Sequence, residues 1–72
     1  LTIEGIETSF VMYPDSDKVM ISARSIGDVN VQVIMEKLGG GGNNAAAAAQ
    51  IKGITVDEAL TELVDAINKY ME

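Results

Sequence analysis

Four consecutive glycines, Gly39 to Gly42, lead through Asn43 and Asn44 into five consecutive alanines, Ala45 to Ala49. No ordinary core segment needs that composition. Each glycine inside a helix costs about 1 kcal/mol relative to alanine, so no helix runs through the glycine block. The run is either a slack loop or a place where backbone comes so close to something that side chains have no room. Glycine also adopts φ > 0 readily, and successive amide N–H groups can then point into one concavity, the nest geometry that holds phosphate oxygens. The run does not match a P-loop, because no Lys-Ser/Thr pair follows, nor a dinucleotide fingerprint, because no strand directly precedes it.

The segments on either side are more conventional. Glu7 to Tyr13 is rich in β-branched and aromatic residues and stops at Pro14-Asp15-Ser16-Asp17, a turn composition. Lys18 to Ser25 follows, with Val19, Ile21 and Ala23 on one parity and Met20, Ser22 and Arg24 on the other, so the two segments predict a hairpin. A hairpin alone is marginal in water and needs a helix or further strands on its apolar face. Asp28 is the expected N-cap of a helix over Val29–Leu38, with Val31, Ile34, Met35 and Leu38 as its apolar stripe and the glycines as its C-terminal stop. A short helical turn over Asn43–Ala46 and a strand over about Ala48–Lys52 are expected next. Thr55 and Glu58 then form a capping box for a helix whose broad stripe is Val56, Ala59, Leu60, Leu63, Val64, Ile67 and Tyr70. The order β-β-α-loop-β-α predicts a small α/β (α+β) fold, a sheet covered by helices.

The chain has 72 residues, the length of one small domain, and 47% apolar content argues against disorder. It carries no cysteine or histidine. Disulfides and the common zinc sites are therefore excluded, and no serine has an imidazole to activate it. The formal charge of −6, from eleven acids against four lysines and one arginine, argues against coating duplex nucleic acid or anionic lipid. No run approaches the roughly 20 apolar residues of a membrane span, so this segment is expected to be soluble and not inserted in a membrane. It begins at Leu1 rather than methionine, which favours a single domain, 1–72, excised from a larger chain.

Two stretches could carry binding chemistry. In Ser22-Ala23-Arg24-Ser25 the chain's single arginine sits at a strand end between two hydroxyls, where a planar donor fork can grip phosphate bidentately. The alternative is a surface arginine paired with one of the eleven carboxylates. The other stretch is Gly39–Asn44. The acids do not converge: Asp15 and Asp17 share a turn, while Glu58, Glu62 and Asp65 are spread over a helix surface. Met12, Met20 and Met35 are core or interface filler. No catalytic residue and no metal ligand is expected in this chain.

Taken in order, MISARSIGDVNVQVIMEKLGGGG (20–42) and AAAQIKGITVDEALTELVDAI (47–67) resemble the C-terminal accessory domain of DHH-type phosphoesterases, most of all that of bacterial cyclic di-AMP phosphodiesterases. The likeness runs from about Phe10 to Tyr70. It implies a substrate-binding domain that closes over the cleft of a separate DHH catalytic domain, where manganese ions drive phosphodiester hydrolysis; the domain itself would need no cofactor. Its ligand would be the phosphate of a cyclic dinucleotide or short oligonucleotide. By resemblance Arg24 would contact phosphate, Ser22 and Ser25 would shape that strand end, and Gly39, Gly40, Gly41 and Gly42 would line the substrate with backbone amides. The domain would be cytoplasmic, in a parent that the family allows to be anchored in the bacterial membrane. The family's glycine run is normally followed by a histidine and, a few positions on, an asparagine. Here Asn43 and Ala46 stand at those places. Asn43 keeps hydrogen-bonding capacity but no titratable charge, and Ala46 keeps neither. Two other roles stay open from the sequence. One is a module binding single-stranded nucleic-acid ends in a related exonuclease or tRNA-handling protein. The other is a structural or dimerising domain, with Met12 or Met20 at a homodimer contact.

Overall fold

The structure, a computed structural model, describes residues 2–3 and 7–72. Its elements in chain order are β1 (Thr2–Ile3), β2 (Thr8–Asp15), β3 (Lys18–Ser25), α1 (Val31–Lys37), β4 (Gly41–Gly42), β5 (Ala46–Lys52) and α2 (Val56–Met71). The strands form one antiparallel sheet in the order β1-β2-β3-β5-β4. The expected α+β arrangement is present, with β1 and β4 as two-residue additions at the edges.

Alternation decides which face is buried. Thr8, Phe10, Val19, Ile21, Ala23, Ser25, Ala47 and Ala49 point to the helix side and are buried, while Ser9, Val11, Ser22, Arg24, Ala48 and Gln50 point to the other side and are exposed. Val31, Ile34 and Met35 of α1 and Ala59, Leu63, Ala66 and Ile67 of α2 complete the core. The α1 helix packs on β3, β4 and β5, and α2 packs on α1 and β2. Both helices therefore share one face, and among the described residues the opposite face of the sheet is open.

Several boundaries differ from those read in the sequence. The β2 strand continues through Pro14 and Asp15, which pair with Val19 and Lys18, so the hairpin turn is only Ser16 and Asp17. Pro14 is tolerated because β1 pairs only with Thr8 and Ser9, leaving β2 an edge strand at that end among the described residues. The first helix starts at Val31 and not Val29, and its N-cap is Asn30 rather than Asp28. Asn30 Oδ1 accepts from Gln32 N at 3.0 Å and Val33 N at 3.4 Å, while Val29 is buried ahead of the helix. The apolar stripe of α2 is broader than the core it covers: Leu63 is 1% exposed, but Leu60 is 43% exposed. Val56 and Val64 are also exposed, on the same flank as Leu60.

The largest departure is the glycine–alanine run. No helical turn forms over Asn43–Ala46; the strand starts at Ala46, and Ala46–Ala49 pair with Arg24–Ile21 of β3. Helical propensity loses because β5 lies between β3 and β4 and is hydrogen-bonded on both sides. The glycines are the other half of this packing. A Cβ on Gly40 would fall 2.7 Å from Ala49 Cα and Cβ, and one on Gly42 would fall 2.5 Å from Ala47 Cα. Small residues meet here because α1 and β4 are pressed directly against β5, so the run is a close approach and not a slack loop.

Candidate functional site

Arg24 occupies the end of β3 on the open face, in register with Ser9 of β2 on one side and Ala46 of β5 on the other. The next position on the same face is Ser22, opposite Val11 and Ala48, about 6.6 Å away along the strand. Beyond Ala48 the rung ends on Gly41 of β4. The floor around the guanidinium is therefore made of a hydroxymethyl, methyls and bare backbone. Ser22, Arg24, Gly41, Gly42, Ala46 and Ala48 line one shallow depression together. A second, of about 620 Å³, lies on the other side of Arg24, with Ser9, Glu7, Ile26, Ala45 and Ala46 among its walls. Among the described residues the ion pair present is Lys69–Asp65 on α2, at 3.2 Å, and no carboxylate neutralises Arg24.

The remaining residues named from the sequence fall elsewhere. Ser25 points to the helix side, where its Oγ lies 3.0 Å from Thr8 Oγ1 and accepts from Gly27 N at 3.3 Å. It braces the strand end from below, facing away from the side that carries Arg24. Gly39, at φ +83, closes α1: Gly39 N donates to Glu36 O at 3.1 Å and Gly40 N to Met35 O at 2.8 Å. Those two amides are used within the fold, and Gly39 and Gly40 lie near Met20 and Gln50, away from Arg24. Gly41 and Gly42 are the members of the run that border the arginine.

Asn43 has a role of its own. Its Oδ1 accepts from Ala45 N and from Ala46 N, both at 2.9 Å, and Asn43 N donates to Ala46 O at 2.8 Å. This Asx turn joins β4 to β5. The loop is also tied from outside, since Ala45 O accepts from Ser25 N at 2.9 Å and Asn44 O from Val31 N at 3.3 Å. The connection is thus held against both the end of β3 and the start of α1, and it fixes the edge of the depression beside Arg24.

Ser9, Glu7 and Ile26 carry no signal in the sequence that marks them as neighbours of Arg24, and Ala46 stands out only by the family resemblance. A two-residue hairpin turn at Ser16-Asp17 would have placed Ser9 opposite Arg24, but the acidic and proline residues around it obscured where the turn begins. Among the described residues no group of three or more His, Cys, Asp or Glu side chains could hold a metal ion, and no helix is long and apolar enough to cross a membrane.

A family model described as the DHHA1 domain matches residues 1–72. The chain is 54% identical over 71 residues to the cyclic-di-AMP phosphodiesterase PdeA of Listeria monocytogenes, covering 97% of this chain and 11% of that protein. It is 56% identical over 73 residues to the cyclic-di-AMP phosphodiesterase GdpP of Geobacillus thermodenitrificans, covering 100% of this chain and 11% of that protein. It is 37% identical over 69 residues to the bifunctional oligoribonuclease and PAP phosphatase NrnA of Thermus thermophilus, covering 96% of this chain and 21% of that protein. The chain belongs to the DHHA1 domain family. It spans only 11% of the length of the two cyclic-di-AMP phosphodiesterases.

Proposed function

We propose, from membership of the DHHA1 family and from the setting of Arg24, that this domain binds the phosphate of a nucleotide substrate and positions it for a separate catalytic domain. The substrate class favoured by the relatives is a cyclic dinucleotide. In this reading a DHH domain of the whole protein carries manganese and activates water, while this chain supplies grip and orientation. The observation that carries the reading is one cation on an open sheet face, free of carboxylate partners among the described residues, over a floor of Ser22, Ala46, Ala48 and Gly41. Small floor residues let a phosphodiester approach the strand backbone, and the guanidinium fork can bind two of its oxygens. Gly42 borders the same surface, and Asn43 follows it in the turn that leads into β5. Cytoplasmic placement of the domain, and anchoring of the parent protein in the bacterial membrane, belong to the same proposal.

Arg24→Ala in the whole protein tests it. Loss of charge-assisted bonds worth about 1.5–3 kcal/mol weakens binding of a non-hydrolysable substrate analogue by about ten- to a hundredfold. An unchanged dissociation constant would count against the role given to Arg24. The similarity to an oligoribonuclease supports a second reading, capture of a single-stranded end. The net charge of −6 and the lack of an aromatic side chain beside Arg24 disfavour it, because unpaired bases are usually held by stacking. Competition between cyclic di-AMP and a short single strand for the same site separates the two.

A further inference from the structure

The turn that borders Arg24 takes its shape from its own residues and its place from others. The Asx turn at Asn43 engages Ala45 N and Ala46 N, which sets the local bend. Two bonds from outside then hold it: Ser25 N donates to Ala45 O at 2.9 Å, and Val31 N to Asn44 O at 3.3 Å. The first continues the β3–β5 ladder, and the second ties the turn to the first residue of α1. Where α1 begins therefore bears on where the wall beside Arg24 stands. That beginning is not secured locally. Asn30 caps α1 through Oδ1, but its own N–H also needs an acceptor. In a capping box the third helical residue supplies one, as Glu58 does for Thr55 at the start of α2. The third residue of α1 is Val33, whose side chain has no acceptor. The acceptor comes instead from the last turn of α2, 40 residues along the chain, where Tyr70 Oη takes the Asn30 N–H at 2.9 Å.

Tyr70 is half-buried against the core, and no residue of α1 or α2 lines either depression beside Arg24. An effect of its hydroxyl on a ligand there travels through the backbone. The path runs from Tyr70 Oη to Asn30, across one peptide to Val31, then to Asn44 and, through Ala45, to Ser25, the neighbour of Arg24. Every link is a hydrogen bond or a single peptide step. Gly41 and Gly42 leave the chain ahead of the turn with wide conformational freedom. A turn held only by the strand ladder would have to be ordered on binding, at a cost in affinity. We infer that Tyr70 is a positioning residue for the phosphate site: its hydroxyl completes the cap of α1 and thereby holds the Asn43–Ala46 turn in place beside Arg24. This inference rests on the phosphate-binding reading above.

The test uses the whole protein and a non-hydrolysable phosphorothioate analogue of cyclic di-AMP, with dissociation constants measured by calorimetry. Tyr70→Phe keeps the packed ring and removes only the acceptor. It is expected to weaken binding by about three- to tenfold, the range of one lost hydrogen bond. Val33→Gln, at an exposed position, provides the missing capping-box acceptor. Tyr70→Phe combined with Val33→Gln is therefore expected to bind within about twofold of the unaltered protein. Thr55→Ala removes the cap at the other end of α2 and lowers stability comparably without touching this path, so it is expected to leave binding unchanged. Unchanged binding by Tyr70→Phe, equal weakening by Thr55→Ala, or a double variant as weak as Tyr70→Phe alone overturns the positioning role. Each of these leaves the phosphate reading standing if Arg24→Ala weakens binding of the same analogue. If Arg24→Ala does not weaken it, the phosphate reading falls, and the role of Tyr70 with it.

Discussion

At the scale of single residues, like letters do unlike work. Gly40 and Gly41 are neighbours of identical composition, yet a Cβ on Gly40 would meet the backbone of Ala48 and Ala49 while one on Gly41 would meet nothing within 4 Å. Gly40→Ala is therefore expected to destabilise the domain by about 1–3 kcal/mol, the cost of overpacking a tight contact. Gly41→Ala is expected to stay within about 0.5 kcal/mol. Urea unfolding of the two variants measures both, and equal midpoints would contradict the close approach of α1, β4 and β5. The serines flanking Ala23 and Arg24 divide in the same way. Ser25 shares a buried hydrogen bond with Thr8, so Ser25→Ala strands the Thr8 hydroxyl and costs about 1–3 kcal/mol of stability. Ser22 is exposed beside Arg24, and Ser22→Ala is expected to weaken phosphate binding with stability nearly unchanged. Denaturation and ligand titration of each variant give the two readouts; a Ser25→Ala protein as stable as its parent would refute the division. The type of these residues was legible in the sequence. Their face was not certain until the strand register was known, because one residue of slip exchanges core and surface.

At the scale of elements, α2 is the part most fully written in local sequence. Thr55 Oγ1 accepts from Glu58 N at 3.1 Å, and Glu58 Oε1 accepts from Thr55 N at 2.9 Å, the reciprocal bonds expected of the Thr55–Glu58 pair. Thr55→Ala is expected to cost about 1 kcal/mol. The backbone N–H of Thr55, and secondarily its hydroxyl, holds the Glu58 carboxyl below its usual value of 4.5. A folded-state value below the unfolded one means that the contribution is complete above about pH 4.5 and is lost as pH falls through the lower, folded value. Glu58→Gln keeps an acceptor for Thr55 N but removes the charge. Its stability is expected to fall less steeply on the acid side, and identical slopes in the two proteins would exclude this role. The start of α1 is written less plainly in local sequence, because Val29, Val31 and Val33 alternate as a strand would. Tertiary contacts settle it: Asn30 N donates to Tyr70 Oη at 2.9 Å, so the end of α2 helps fix the N-terminus of α1.

At the scale of the molecule, one core holds the sheet and both helices together, and its boundary runs along α2. Leu63 lies inside at 1% exposure, and Leu60 lies on the uncovered flank at 43%. Leu63→Ala is expected to cost about 2–5 kcal/mol, a large share of the roughly 5–15 kcal/mol typical of a domain. Leu60→Ala is expected to cost less than about 1 kcal/mol, and thermal unfolding of the pair checks where the core ends. By itself the sequence determined the β2–β3 hairpin, the two helices, the capping of α2, the stop of α1 at glycine, the family, and Arg24 as the one arginine of the chain. These follow from interactions within a few residues or from motifs short enough to read directly. Only the tertiary structure decided that Ala46 to Ala49 belong to a central strand, that Gly40 and Gly42 are gaps filled by its backbone, and that Ser25 faces away from Arg24. It also decided that the arginine stands on an open face beside Ile26. For the alanines, the glycines and Ser25 the physical reason is that a small side chain offers too little to resist its neighbours, so its role is set by whichever element packs against it; for Arg24 it is that the strand register alone fixes which side chains lie beside it.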